Sequence, residues 1–512
     1  MIFLALCLSI LAFSQAAKWD NVNIAVVEYQ PVDNVSLNAK QYIEILKNIT
    51  NTKLDLVVFP EDTLRSDRNT SVEFKVLDTP CDSDTFADFL HDLSCAARLS
   101  RTYLAVNLVE KVKCDKSEAD SSDNCKNYGF YFYNTDVIFD RNGTIVNRYR
   151  KYNLFGEYSM DRPETPEEIV TETDFGLKLG VFTCFDILFK APAQELLKDG
   201  IDAVIYPTMW FSELPFLTAM QAQQMWSYGH NITLFAAGAN SRSAGSGGSG
   251  VYRGVKGLTV GGVVAEGGTQ AFIYQGDDKK QASEDVDELA KKMDGFHLKV
   301  DDSVQDYKTV VLNTSVKSTK TELCYENEDK EQFCCNFTVE TTLDAIKPDL
   351  NFYTYRLVAF SGIRSYSGVA NGGIEICGII ACLNNSLTSC AQRFPNYDKV
   401  QWPVTFEKIT ISANFEKSEN HTQFPNSLKS SIRPIDTTET AWSGSQVTRD
   451  GKDLIERKFS ITKPQNRLLT FAIFGRNFEQ DSTPRDDNNS SGHLSALWVL
   501  LCTSLFVLYE IK

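Results

Sequence analysis

Between residues 23 and 237 the apolar positions switch repeatedly between two periods. Ile24-Ala25-Val26-Val27 is a short, unbroken apolar run, the pattern of a buried strand. Residues 36–48 carry Leu37, Tyr42, Ile43 and Leu46 at helical spacing. Residues 54–59 read as a strand stopped by Pro60, 82–99 as a helix, and 103–109 as a strand. Residues 130–132 and 137–139 read as a hairpin-type pair split by polar positions. A strand over 177–183 ends at Cys184, a short helical piece covers 194–198, and a strand over 203–206 is closed by Pro207. A helix over 214–230 and a strand over 232–236 complete the series. Strands alternating with helices predict a layered α/β domain.

From about Asp301 the helical periods fade. Strand-like runs follow at 309–312, 352–360, 374–380, 404–411 and 468–474, which predicts a second, smaller β-rich domain. The boundaries expected are 18–305 for the α/β domain, 306–480 for the β-rich domain, and 481–512 for a polar linker and tail. The string Gly245 to Gly250 (GSGGSG) has the spacing of a dinucleotide loop, but Val251-Tyr252-Arg253-Gly254 does not open a helix after it. It is read as a flexible turn, with no cofactor. No internal repeat is found.

The two ends carry addresses. Residues 2–13 are nearly all apolar and Ser14-Gln15-Ala16-Ala17 supplies small residues for cleavage, so 1–17 reads as a signal peptide. Residues 494–509 are mostly apolar and follow the small cluster Asn489-Ser490-Ser491-Gly492. That order fits a glycolipid (GPI) anchor signal, with Asn489, Ser490 and Ser491 as attachment candidates; a single transmembrane helix is the alternative. Asn34, Asn48, Asn69, Asn142, Asn231, Asn313, Asn336, Asn384 and Asn420 each begin an Asn-x-Ser/Thr acceptor. These features predict a glycoprotein on the outer face of the plasma membrane, or a secreted one.

Thirteen cysteines refine that picture. Cys7 and Cys502 fall in the two end segments, which leaves an odd number. Four (Cys81, Cys95, Cys114, Cys125) lie with Cys184 in the first domain and six (Cys324, Cys334, Cys335, Cys377, Cys382, Cys390) in the second. Even sets allow disulfides within each domain, with Cys184 left over. Sixty-seven acidic against 51 basic residues give a net charge of −16, so nucleic acid is not an expected partner. The five histidines form no H-x-x-x-H pair, which leaves zinc unsupported, and no G-x-S-x-G string marks a serine nucleophile.

Three residues stand just past predicted strands or turns, where layered α/β folds collect chemistry: Glu61, Lys151 and Cys184. A thiol attacks only once its proton is gone. Glu61 could take that proton, and Lys151 could stabilise the thiolate and then an oxyanion. On this reading Cys184 has a low pKa and alkylates quickly near neutral pH.

The strings VVFPE (57–61), RKYNLFGE (150–157) and GVFTCFD (180–186) resemble the nitrilase superfamily of carbon–nitrogen hydrolases in the order Glu, Lys, Cys. KYNLFGE, FTCFDILF and YPTMW (206–210) resemble its vanin and biotinidase branch. The resemblance implies an α-β-β-α sandwich with a smaller β-rich domain. It also implies that Glu61 is the base, Lys151 the oxyanion lysine and Cys184 the nucleophile. The Phe185 N–H would share the oxyanion hole, Glu157 would support the lysine, Asp186 would organise the following loop, and Trp210 would lie near the substrate pocket. The implied reaction is hydrolysis of a small linear amide through a cysteine acyl-enzyme, with pantetheine as the foremost substrate and no cofactor or metal. Hydrolysis of biotin amides, or an inactive binding glycoprotein, are the rival readings.

Overall fold

The computed structural model describes residues 19, 21–49, 53–64, 70–114, 123–276, 285–327, 330–449 and 451–482. The expected signal peptide, the expected anchor tail with Asn489, Ser490 and Ser491, and the acceptor Asn69 lie outside the described residues.

Two six-stranded sheets build the first domain. One runs β13 (Gln270–Gln275), β1 (Asn23–Glu28), β2 (Leu56–Val58), β3 (Tyr103–Lys113), β4 (Phe130–Phe139) and β5 (Ile145–Arg150). The other runs β12 (Leu258–Gly262), β11 (Ser249–Arg253), β10 (Thr233–Gly238), β8 (Ala203–Thr208), β7 (Lys178–Val181) and β6 (Val170–Glu172). Each has three parallel central strands, β1-β2-β3 and β10-β8-β7, flanked by antiparallel ones. Side chains alternate faces along a strand. Ala25 and Val27 therefore face the helices α1 (Val35–Ile49) and α2 (Asp88–Ser100), while Ile24 and Val26 join Leu179, Val181 and Ile205 between the sheets. The result is the expected α-β-β-α layering.

The helix on the far side, α3 (Ala219–His230), is buried on nearly every face because the second domain covers it. This explains two of its three interior glutamines, and the third, Gln223, bonds Gly248 and Tyr252 within the first domain. Gln221 Nε2 donates to Asn426 Oδ1 at 2.8 Å, and Gln224 Nε2 to the Ile435 carbonyl at 2.8 Å, both across the domain boundary.

The second domain is an antiparallel sandwich. One sheet runs β15 (Lys308–Leu312), β18 (Thr354–Tyr366), β19 (Ala370–Cys382), β24 (Leu468–Ser482), β21 (His421–Lys429). Its partner runs β16 (Ser318–Glu326), β17 (Gln332–Leu343), β20 (Val404–Glu416), β23 (Lys452–Ile461), β22 (Thr440–Arg449). Cys335–Cys377 joins the two sheets, and Phe459 stacks on Phe471 between them at 4.1 Å. A parallel pair of short strands, β9 (Glu213–Leu214) and β14 (Lys299–Val300), sits where the domains meet.

The structure departs from the sequence reading in several places. The residues expected to form a hairpin at 130–139 form one continuous strand, β4. The helix expected over 82–99 starts at Asp88, because Pro80 begins a separate 3-10 turn over Pro80–Asp82. The helix expected over 214–230 starts at Ala219, after the Thr218 cap. Residues 245–250 are buried rather than a flexible turn: the Glu28 carboxylate accepts the Gly248 N–H at 2.8 Å. Gly248 has φ +118°, and a Cβ there would stand 2.9 Å from the Ala219 methyl, so only glycine fits.

Candidate active site

Glu61 lies three residues beyond β2, Lys151 directly follows β5, and Cys184 opens a 3-10 turn (Cys184–Leu188) beyond β7. The fold brings all three together with Glu157. Lys151 Nζ donates to Glu61 Oε1 and to Glu157 Oε1, both at 2.7 Å. Glu61 and Lys151 are each 2% exposed, so water does not screen this pair. Burial would strip the lysine of its proton, but Glu157 and then Glu61 hold its pKa well above the usual lysine range. Burial opposes ionisation of Glu157 as well, yet Lys151 keeps its pKa below the ordinary carboxylate value. The second oxygen of Glu61 accepts the Met209 N–H at 2.9 Å, and that of Glu157 accepts the Phe155 N–H.

Cys184 is held in a backbone conformation that L-residues seldom adopt, φ +47°. Two anchors keep it there. Tyr206 OH donates to the Cys184 carbonyl at 2.8 Å, and Asp186 ties the turn to its surroundings. The Asp186 carboxylate accepts from the Thr183 N–H (3.1 Å), Tyr149 OH (2.7 Å) and both nitrogens of Asn153 (2.9 and 2.8 Å). Asp186 thus organises the loop, as expected, although burial raises its pKa to about 6.

The same geometry bears against the expected low thiol pKa. Burial, and then the Glu61 carboxylate, push the Cys184 thiol well above its ordinary pKa, and Lys151 only partly offsets them. Two carboxylates around one ammonium leave a net negative charge, which disfavours a second anion beside them. Burial and Glu61 thus favour the protonated thiol at Cys184.

Sequence reading missed the residues that orient the carboxylates. Asn134 Nδ2 donates to Glu61 Oε1 at 2.8 Å and to Glu157 Oε1 at 2.9 Å. Asn107 Nδ2 in turn donates to Asn134 Oδ1 (2.6 Å) and to Asp136 Oδ1 (2.8 Å), while Asp136 Oδ2 accepts from Thr183 Oγ1 (2.6 Å). Asp136 is wholly buried, and desolvation raises its pKa to about 7. The signal lay in the polar positions at 134–136 of β4. They resemble a turn, but they lie in a strand: Asn134 and Asp136 face the site, while Thr135 points to the other face and donates to Glu110 Oε2 at 3.1 Å.

Cys184 lines a cleft whose walls include Phe155, Phe185, Trp210 and Phe211. Trp210 is fixed by an Nε1 hydrogen bond of 2.8 Å to the Leu217 carbonyl. The polar lining includes Glu213 and Lys299. Tyr366 and Ser367, at the β18–β19 tip, bring the second domain into the cleft, and the Tyr366 ring meets Phe185 at 5.4 Å. Behind that tip Arg364 pairs with Glu213 (2.6 Å) and Asp301 (2.9 Å). From β24, Arg476 Nε donates to the Leu188 carbonyl at 2.8 Å, at the end of the Cys184 turn.

Five disulfides join Cys81–Cys95, Cys114–Cys125, Cys324–Cys334, Cys335–Cys377 and Cys382–Cys390, each within one domain, and Cys184 is the free cysteine among the described residues. Asn34, Asn48, Asn142, Asn231, Asn313, Asn336 and Asn384 are exposed. Asn420 is half-buried, with its amide engaged by Lys190 and Glu479. No helix among the described residues is long and apolar enough to cross a membrane.

Residues 23–249 match the carbon–nitrogen hydrolase family model, and residues 296–481 match the vanin C-terminal domain. Vanin-like protein 1 of Drosophila melanogaster is 34% identical over 91% of this chain and 88% of its own length. A pantetheinase of Sus scrofa is 30% identical, covering 82% of this chain and 76% of the relative. A biotinidase of Bos taurus is 27% identical, covering 88% of each.

Proposed function

The chain belongs to the vanin branch of the carbon–nitrogen hydrolases, enzymes acting on amides, and from that premise we propose that it hydrolyses pantetheine to pantothenate and cysteamine through an acyl-enzyme on Cys184. The observation that carries this reading is a free, buried thiol lining a largely apolar cleft, backed by a buried carboxylate–ammonium pair.

Cys184 attacks the amide carbonyl while Glu61 takes the thiol proton, so charge develops only as the carbon–sulfur bond forms. An ammonium has three N–H groups, and Glu61 and Glu157 engage two of those of Lys151. The third meets the substrate oxygen as it becomes an oxyanion, and the Phe185 N–H shares that load. The carbon–nitrogen bond then breaks and Glu61 gives its proton to the departing amine. In the second half, Glu61 takes a proton from water, the hydroxyl adds to the thioester, the carbon–sulfur bond breaks, and the proton returns to the sulfur. Glu157 and Asn134 position the lysine and the base. Trp210 forms a wall against the substrate chain.

The pantetheinase relatives support the substrate, while the biotinidase relative makes biotin amides the comparison to run. The disulfides and the exposed Asn-x-Ser/Thr sites support export, and we place the protein outside the cell, tethered by a glycolipid at 489–491. We also assign 18–305 to catalysis and 306–480 to the vanin-type domain. The test is cysteamine release from pantetheine beside biotin release from biocytin, for wild type and Cys184→Ser. Pantetheine turnover that vanishes in the variant supports the proposal. Biocytin turnover alone changes the substrate, and turnover surviving in Cys184→Ser overturns the mechanism.

A further inference from the structure

Thr208 closes β8, beside the strand that delivers Cys184: β7 and β8 are parallel neighbours, with Val181 paired to Ile205. Its side chain is wholly buried, and its hydroxyl oxygen has no hydrogen-bond partner in the resting site. A buried hydroxyl without a partner is a cost that folded proteins rarely leave in place, and such an exception asks for a use. The surrounding groups narrow that use. Tyr206, two residues earlier on the same face of β8, spends its hydroxyl on the Cys184 carbonyl. Glu61 is filled by Lys151, Asn134 and the Met209 N–H. The Thr208 hydroxyl has the Cys184 sulfur and the Tyr206 hydroxyl as its neighbours, yet it makes a well-formed hydrogen bond to neither while the sulfur is a neutral thiol, which is a weak acceptor.

We infer that Thr208 is a further catalytic residue: its hydroxyl donates a hydrogen bond to the Cys184 sulfur only when that sulfur carries negative charge, during attack and again when the thioester is cleaved. A thiolate accepts strongly where a thiol does not, so the interaction forms on the way to the transition state and contributes to rate rather than to substrate binding. No proton is transferred in it; the hydroxyl keeps its hydrogen throughout, and the thiol proton travels by way of Glu61. The direction of the electrostatics agrees. Burial and Glu61 raise the thiol pKa, whereas Lys151 and then the Thr208 hydroxyl lower it. Thr208 thereby offsets part of the disadvantage of working with a buried, protonated nucleophile.

This inference rests on Cys184 being the nucleophile, and the test separates the two. Thr208→Val removes the hydroxyl and keeps the shape; Thr208→Ser keeps the hydroxyl. Each variant is assayed for pantetheine kcat and KM and, without substrate, for the pH–rate profile of Cys184 alkylation by iodoacetamide. The expected result for Thr208→Val is a loss of about ten- to a hundredfold in kcat, the size of one hydrogen bond to a charged group, with KM unchanged. Its alkylation profile should move to higher pH, and Thr208→Ser should restore both. Wild-type kcat and profile in folded Thr208→Val overturn the inference and leave the nucleophile untouched. A kcat loss without a shift in the alkylation profile, or a loss that Thr208→Ser does not restore, also overturns it, because that is the behaviour of a packing residue. If Thr208→Val does not fold, the Thr208→Ser profile is read with Thr208→Ala in its place. Full turnover in Cys184→Ser would instead sink the acyl-enzyme reading, whatever the alkylation profile of Thr208→Val.

Discussion

Lys151 sits between Glu61 and Glu157 much as Arg364 sits between Glu213 and Asp301. Each cluster is one buried cation with two carboxylates, at 2.7 Å in the first and 2.6 and 2.9 Å in the second. The difference lies in the cation. Lysine carries a compact ammonium with rotatable donors, so one N–H stays free to meet a new oxygen. Arginine carries a planar fork, and Arg364 spends its two ends on carboxylates from β9 and the segment after β14. The first cluster is arranged to meet charge that appears during a reaction. The second fixes the strand behind Tyr366, and so the wall that the second domain lends to the cleft. Under the proposed function, similar ingredients serve chemistry in one place and architecture in the other.

The comparison can be broken at several points. The largest effect is expected for Glu61→Gln, which keeps the shape but removes the base: turnover should fall by about 10²–10⁴-fold in a folded protein. Asp301→Asn, the matching change in the other cluster, should leave kcat at the wild-type level. Equal losses in steady-state assays of the two would abolish the distinction.

Removing either cation leaves two carboxylates facing each other in a buried site. Lys151→Met and Arg364→Met should each cost about 3–5 kcal/mol in denaturant unfolding. Below their midpoints they should part company, with Lys151→Met inactive and Arg364→Met active with a raised KM. Loss of activity in both would make the arginine part of the chemistry.

A smaller effect concerns the thiol. Because its pKa is raised by burial and Glu61, alkylation of Cys184 by iodoacetamide should be slow at neutral pH and keep rising through the alkaline range. In Lys151→Met it should be slower still. A plateau reached below neutral pH would mean a standing thiolate.

The smallest effect lies outside both clusters and should not touch turnover. Burial raises Glu28 to about 7, above the value of about 4.3 for an exposed glutamate. Between those values the folded state binds more protons than the unfolded one, so this group's contribution to stability is present at low pH and lost as pH rises through about 7. Thermal unfolding should show Glu28→Gln losing less stability between pH 5 and 8 than wild type. An unchanged slope would remove Glu28 as its source.

Much of this was legible in the chain. Short apolar runs such as 24–27 and 203–206 announced central strands because strands buried on both faces need no alternation. The motifs around Glu61, Lys151 and Cys184 pointed to three residues that the fold brings together. Two kinds of feature stayed hidden. Strands such as β22, exposed over much of its length, and β23, mostly half-buried, carry little of the apolar signal that marks a core. Asn134 and Asp136 were hidden for the opposite reason: they are polar because the site needs them, and polarity in mid-strand imitates a turn. The second domain's share of the cleft, through Tyr366 and Arg364, joins residues more than 150 positions from Cys184 and could be seen only in the fold.

The most direct test is to quench the wild-type enzyme with acid during pantetheine turnover and weigh the peptide that contains Cys184. The account predicts a pantothenoyl thioester on that sulfur, absent from Cys184→Ala. Continued turnover with no acyl group on Cys184, or with the acyl group on another residue, would contradict it.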